Sequence, residues 1–171
     1  MKKITLLAIL IIAALSSNAN AQTVVSPVAT ATATIITPLT ISKLVDMNFG
    51  DISTNGTNGT VILSNANVRS ATGGASFSAA TPGTITSAKF VVTGNTGYAY
   101  SISIPTAITL THTNTTSVMQ VTNIGNSVGA TGTLTGGTQD ISVGGTLNLV
   151  GAQLEGVYTN TTDLKVTVNY N

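Results

Sequence analysis

The sequence predicts an all-β fold, an immunoglobulin-like antiparallel β-sandwich with Greek-key connections, on three observations. Apolar and polar residues alternate at period two in short runs, the signature of half-buried strands. Gly and Asn cluster between those runs, where turns need positive φ. Beyond the first 21 residues, no 11-residue window carries an apolar stripe at helical spacing. Abundant Thr and Val point the same way, because a branched Cβ is stiff in a helix and packs well on a pleated surface. With no helices to cover a parallel sheet, antiparallel packing is favoured, and a closed barrel is the alternative.

The N-terminus reads as a bacterial export signal. Lys2 and Lys3 precede an apolar run from Ile4 to Leu15, and Ala19-Asn20-Ala21 supplies the small residues of a cleavage site before Gln22. That run is too short to span a membrane, which takes roughly 20 apolar residues. Residues 1–21 are therefore expected to be removed on export to the periplasm, cell surface or medium. Residues 22–36 follow as an extended segment, and residues 37–171 as one β-sandwich domain.

From Val25 the odd positions read Val25, Pro27, Ala29, Ala31, Ala33, Ile35, Thr37, Leu39 and Ile41, nearly all apolar, while the even ones are largely Thr and Ser. This segment is either the domain's own first strand or a donor that adds to a neighbouring subunit through Val25, Ala29, Ala31, Ala33 and Ile35. Asn55-Gly56 and Asn58-Gly59 read as turns before a strand at Val61 to Leu63. Residues 64–82 are poor in large apolar side chains and read as a long loop holding at most one edge strand. Phe90 and Val92 mark a strand that ends at Gly94. Tyr98, Tyr100, Ile102 and Ile104 share one face of the next, with both tyrosines expected in the core, until Pro105 stops the ladder. Ile108 and Leu110 alternate with Thr109 and Thr111, Gly136-Gly137 reads as a turn, and Leu147 and Leu149, which follow the Gly144-Gly145 pair, read as a further half-buried strand. Leu164, Val166, Val168 and Tyr170 make the apolar face of the last strand, which at a sheet edge invites pairing with another strand.

Composition narrows the function. Removal of residues 1–21 leaves Lys43, Arg69, Lys89 and Lys165 against Asp46, Asp51, Asp140, Glu155 and Asp163, a net charge of −1. Charges so sparse form no cationic stripe, so neither nucleic acid nor membrane insertion is expected. The chain has no Cys, which excludes a disulfide framework and a lipid-anchoring thiol.

Residues that could carry catalysis are few. His112, the single histidine, falls in phase with Ile108 and Leu110 and reads as a strand-end core residue. With no Cys and isolated carboxylates, neither a metal site nor a cofactor is expected. Asp46 and Asp51 flank Phe49-Gly50 and could offer two oxygens to Ca²⁺, but that ion takes about six to eight, so both are read as surface-turn residues. Asp140 and Glu155 are the carboxylates a glycosidase would need, yet nothing around them supports that role, and no enzymatic activity is expected. The Gly-rich turns lack the Gly-Lys-Ser/Thr of a phosphate loop. Asn55, Asn58, Asn114 and Asn160 sit in glycosylation sequons that so Asn- and Thr-rich a chain produces by chance. Thr30, Thr32 and Thr34 form a ladder like those of ice-binding faces, but it occurs once and without a repeat.

Several stretches carry a family resemblance. Ile36-Thr37-Pro38-Leu39-Thr40-Ile41, Met47-Asn48-Phe49-Gly50-Asp51-Ile52, Phe90 to Gly94, Tyr98 to Ile102, Val143 to Leu147, Gly156-Val157-Tyr158 and Val166 to Tyr170 together resemble a secreted bacterial family catalogued as domain of unknown function 4402. More distantly, Phe49, Gly50, Gly156, Tyr158 and Tyr170 match spore coat protein U-like pilins of chaperone–usher systems, though the Cys pair many of those carry is missing. That resemblance implies a fimbrial subunit whose last strand borders a groove filled by a chaperone and then by the next subunit. It places the acceptor edge at Gly156, Tyr158, Leu164, Val166, Val168 and Tyr170. The partners it implies are other copies, related subunits and a periplasmic chaperone. The alternative is a monomeric adhesin-like module for carbohydrate or host protein, weakened by aromatic poverty, since sugar platforms generally use Trp or Tyr and the chain has no Trp and only four Tyr.

Overall fold

The computed structural model describes residues 24–77 and 80–171. The expected signal, residues 1–21, lies outside them. Contacts divide the chain at Ile35. Residues 24–35 belong to no strand and expose every side chain, Val25 by 83% and Ile35 by 98%.

The unit from Ile36 to Asn171 is all-β, with antiparallel pairing throughout and no α-helix among the described residues. Its strands are β1 (Thr40–Val45), β2 (Asn48–Phe49), β3 (Ser53–Leu63), β4 (Arg69–Ser76), β5 (Ile85–Thr86), β6 (Ala88–Thr93) and β7 (Ala99–Ser103), followed by β8 (Ile108–His112), β9 (Val118–Asn126), β10 (Thr131–Thr133), β11 (Thr138–Leu149), β12 (Tyr158–Thr159) and β13 (Thr167–Tyr170). The large sheet runs β1-β6-β11-β9-β8-β12, with β3 also on β11 and β4 beyond it. The sheet β10-β7-β13 and the pair β2-β5 are much smaller. Two unequal layers of this kind are consistent with the expected immunoglobulin-like sandwich.

The large sheet is organised on β11. One edge of β11 pairs with β6 from Thr138 to Val143 and then with β3 from Gly145 to Leu149, while the other edge pairs with β9. The sheet forks where β6 gives way to β3, and Gly144 occupies the fork because a Cβ there would overlap the Leu63 carbonyl. Gly144-Gly145 lies inside a 12-residue strand, with a register shift against β9 between Gly144 and Thr146.

Asn55-Gly56 and Asn58-Gly59, expected as turns, are likewise inside a strand, β3. Pairing with β4 shifts register between Thr54 and Gly59, and Asn side chains bind nearby backbone there: Asn55 Oδ1 accepts from the Thr57 amide at 3.1 Å, and Asn58 Oδ1 from the Gly151 amide at 2.8 Å. The expected loop at 64–82 contains an eight-residue edge strand, β4, reached by a tight turn in which the Ser64 amide donates to the Val68 carbonyl at 2.8 Å and Asn67 takes a φ of 61°. Asn is among the few side chains that tolerate that region.

The core centres on Val61, Leu63, Val92, Tyr100, Val121, Leu134, Ile141 and Val143, all nearly out of water. Tyr100 donates to Gln139 Oε1 at 2.8 Å, and burial pushes its phenol above the ordinary tyrosine range. Tyr98 does not share its burial: it is 41% exposed and stacks edge-on against Tyr170 at 5.6 Å. It precedes β7, so the alternation that buries Tyr100 does not govern it.

Ile141→Ala should lower unfolding free energy by about 3 kcal/mol, because Ile141 is fully buried on the one strand that every half of the large sheet touches. Urea titration checks this: the midpoint should fall with the slope unchanged, and an unmoved midpoint would remove β11 from the centre of the core.

Candidate functional site

The small second layer leaves part of the large sheet's inner face uncovered. Over that part runs an open groove of about 1130 Å³. Its floor is made by residues two apart on four adjacent strands: Ala88 and Phe90, Leu147 and Leu149, Met119 and Val121, Ile108 and Leu110. One wall is the stretch Met47 to Thr54, the other the stretch Gln153 to Thr161 with Leu164. The charged groups along it, Lys43, Asp46, Asp51 and Glu155, are all exposed, and of the eight floor side chains only Leu110 and Met119 are half-buried, the other six already lying in the buried core.

The first wall is held by one arginine. Arg69 on β4 donates through Nη1 to the carbonyls of Phe49, at 2.6 Å, and Asp51, at 3.0 Å, and through Nη2 to that of Pro82 at 3.0 Å. The same guanidinium lies 4.0 Å from the centre of the Phe77 ring, in a cation–π arrangement. Gly50, at φ 70°, fits beneath it because a Cβ would meet Arg69 Nη1 at 2.6 Å. Apart from this clamp and the two-residue pairing of β2 with β5, the Asp51 amide donates to the Pro82 carbonyl at 3.0 Å.

Side chains and loop carbonyls hold the second wall. Gln153 Nε2 donates to the Tyr158 hydroxyl at 2.7 Å, which in turn donates to the Leu154 carbonyl at 2.9 Å. His112 is buried at the end of β8, where Nδ1 accepts from the Asn114 amide at 3.0 Å. That leaves the proton on Nε2, which donates to the Glu155 carbonyl at 3.0 Å. Gly156, at φ 136°, packs directly on this imidazole, and a Cβ there would overlap it. Further along, Asn160 Nδ2 donates to the Thr109 carbonyl at 2.7 Å, and its Oδ1 accepts from the amides of Thr162 and Asp163. Hydrogen bonds from the Thr162 hydroxyl and then the Asn160 amide, with Lys165 adding to them, hold the Asp163 carboxyl below the ordinary carboxylate range.

The groove is open to water along one side, and polar and apolar atoms share its lining about equally.

Of the residues expected at an acceptor edge, Gly156, Tyr158 and Leu164 line this groove. Val166, Val168 and Tyr170 do not; they pack on the core, and the Tyr170 hydroxyl accepts from the Asn95 amide at 2.6 Å and donates to the Thr37 carbonyl at 2.9 Å. Beside them, β13 has a strand neighbour, β7, on one side only. The expected donor residues Val25, Ala29, Ala31, Ala33 and Ile35 are exposed. Asp140 pairs with Lys89 at 2.8 Å and Asp46 with Lys43. Among the described residues no group of three or more His, Asp or Glu side chains gathers as a metal would require. Sequence reasoning missed Leu110, Met119 and the Met47–Thr54 wall, because which strands lie side by side is not written in their alternation.

These features define a class: an all-β domain whose second layer leaves an open groove across the first. The chain belongs to the family described as a domain of unknown function (DUF4402), which matches residues 39–170. No curated protein and no solved structure matches the chain.

Arg69→Met keeps a side chain over Phe77 but leaves three carbonyls without their charged donor, and should cost about 2 kcal/mol, read from urea unfolding. A second outcome follows from Asp163. Because its folded pKa is depressed, its contribution to the 160–165 turn is present above the ordinary carboxylate range and is lost as the pH falls through the lower folded value. Protection of the Thr162 and Asp163 amides, measured against their intrinsic exchange rates, should therefore hold at neutral pH and fall in strong acid, ahead of protection in β11.

Proposed function

We propose that this is an exported, non-catalytic surface protein, a fimbrial or pilus-like structural subunit that assembles by adding a strand from one copy to the next. The observation that carries this reading is the segment 24–35: outside any strand, uncharged, and exposing Val24, Val25, Val28 and Ile35. An apolar ribbon left in water is a liability unless a partner covers it. The resemblance of Phe49, Gly50, Gly156, Tyr158 and Tyr170 to pilins supports the same reading, as do the four-residue edge strand β13 and the export signal read at residues 1–21.

Light scattering on the chain from Gln22 to Asn171 tests it. Ordered multimers are expected that dissociate when residues 22–36 are deleted, with the remaining domain still folded. A monodisperse monomer from Gln22 to Asn171, unchanged by the deletion, would overturn the reading in favour of a monomeric binding module.

A further inference from the structure

We infer that Asn55 is a site of self-modification, where the main chain converts a side-chain amide to a carboxylate without an enzyme, and that Asn58 is not. An Asn followed by Gly is open to ring closure because no side chain shields the next amide nitrogen. Asn55-Gly56 and Asn58-Gly59 are the chain's two such pairs, and both continue into Thr, so the fold decides between them. Residues 55–58 bulge from β3: β4 pairs with Thr54 and next with Gly59, and β11 pairs only from Gly59 onward. Gly56 is exposed at a φ of 86°, and a Cβ there would meet nothing nearer than the Gly151 carbonyl at 3.9 Å. Gly59 is buried, faces Gly73 on one side and Leu149 on the other, and a Cβ there would overlap the Ala75 amide. The backbone rotation that ring closure requires would break two ladders at Gly59 and none at Gly56. Asn58 is also fastened from outside the bulge, since its Oδ1 accepts from the Gly151 amide at 2.8 Å.

Asn55 is polarised for attack. Its Oδ1 accepts from the Thr57 amide at 3.1 Å and from the Thr57 hydroxyl at 2.7 Å, two donors on the oxygen where negative charge gathers as Cγ becomes tetrahedral. The Gly56 nitrogen gives its proton to solvent base and bonds to Asn55 Cγ. The bond from Cγ to the side-chain nitrogen breaks, ammonia leaves with a proton from water, and a five-membered succinimide remains. Water then opens either ring carbonyl, giving aspartate or, with the main chain routed through the side chain, isoaspartate. Each product carries one new negative charge at neutral pH, next to Thr54 at the end of the groove's first wall. That charge takes the chain from Gln22 to Asn171 from −1 to −2.

The test is to hold the folded chain from Gln22 to Asn171 at mildly alkaline pH and follow both asparagines by fragmentation mass spectrometry with isoaspartate detection. Asn55 should convert at least about tenfold faster than Asn58, at a rate that rises with pH. In urea the two rates should converge, because unfolding removes the ladders that hold Gly59. Equal rates in the folded chain, or faster conversion of Asn58, would overturn the assignment. Thr57→Val keeps the branched Cβ and removes the hydroxyl. It should slow Asn55 by about two- to tenfold, the worth of one hydrogen bond, while Asn58 stays slow as the sign that β3 is intact. An unchanged or raised rate at Asn55 would overturn the role of that hydroxyl. Asn55→Gln, which would have to close a larger ring, should abolish the acidic species seen on ion exchange, and persistence of that species would place the new charge elsewhere and overturn the site.

Discussion

Everything in this domain depends on β11 being able to hold three neighbours. A strand has two edges, and β11 serves three partners only because it is long enough for β6 and β3 to divide one edge between them. The division requires two chains to meet at one point on that edge, and Gly144 is the residue that lets them. The fork makes the first layer broad. The second layer, β10-β7-β13, consists of strands of three, five and four residues, too few to cover it. The groove is the geometric remainder of that mismatch, so it is a property of the topology and not of any one loop.

The walls show how irregular chain is kept over such a gap. Backbone that joins no sheet must still find partners for its carbonyls and amides. On one side a single guanidinium satisfies three carbonyls at once, which few side chains other than Arg can do because its donors are fixed in a planar fork. On the other side the partners are uncharged: Gln153, Tyr158, His112 and Asn160 each reach a backbone carbonyl or a neighbouring hydroxyl. This accounts for the place of His112 at a strand end better than any acid–base role, since both ring nitrogens are occupied in holding loop backbone.

Much of the fold was legible in the sequence, and for a physical reason. Strands with one face buried must alternate, and β6, β7, β8 and β13 were readable from Phe90 and Val92, Tyr100 and Ile102, Ile108 and Leu110, and Val168 and Tyr170. Misreading concentrated on glycine. Gly56 and Gly59 carry the composition of turns, but Gly is also required wherever two backbones approach closely, and sequence alone does not separate those uses. The candidate site was half legible. Gly156, Tyr158 and Leu164 could be named from a terminal motif, whereas Leu110, Met119, Phe90 and Leu149 meet only because β8, β9, β11 and β6 lie side by side, an order that local alternation does not encode.

The same consideration bears on why so few charges appear. Nine charged side chains between Gln22 and Asn171 give little protection against unwanted edge pairing, and two of the four cations, Lys43 and Lys89, are tied to Asp46 and Asp140. A protein selected to remain a solitary monomer would ordinarily guard its edges and its apolar surfaces with charge. Here the apolar ribbon at 24–35 is uncharged, the strand at β13 carries no charge between Val166 and Asn171, and the groove floor is uncharged. Uncharged apolar surface at 24–35 and along β13 is only weakly guarded against pairing with another chain, and that is the property the strand-addition proposal draws on.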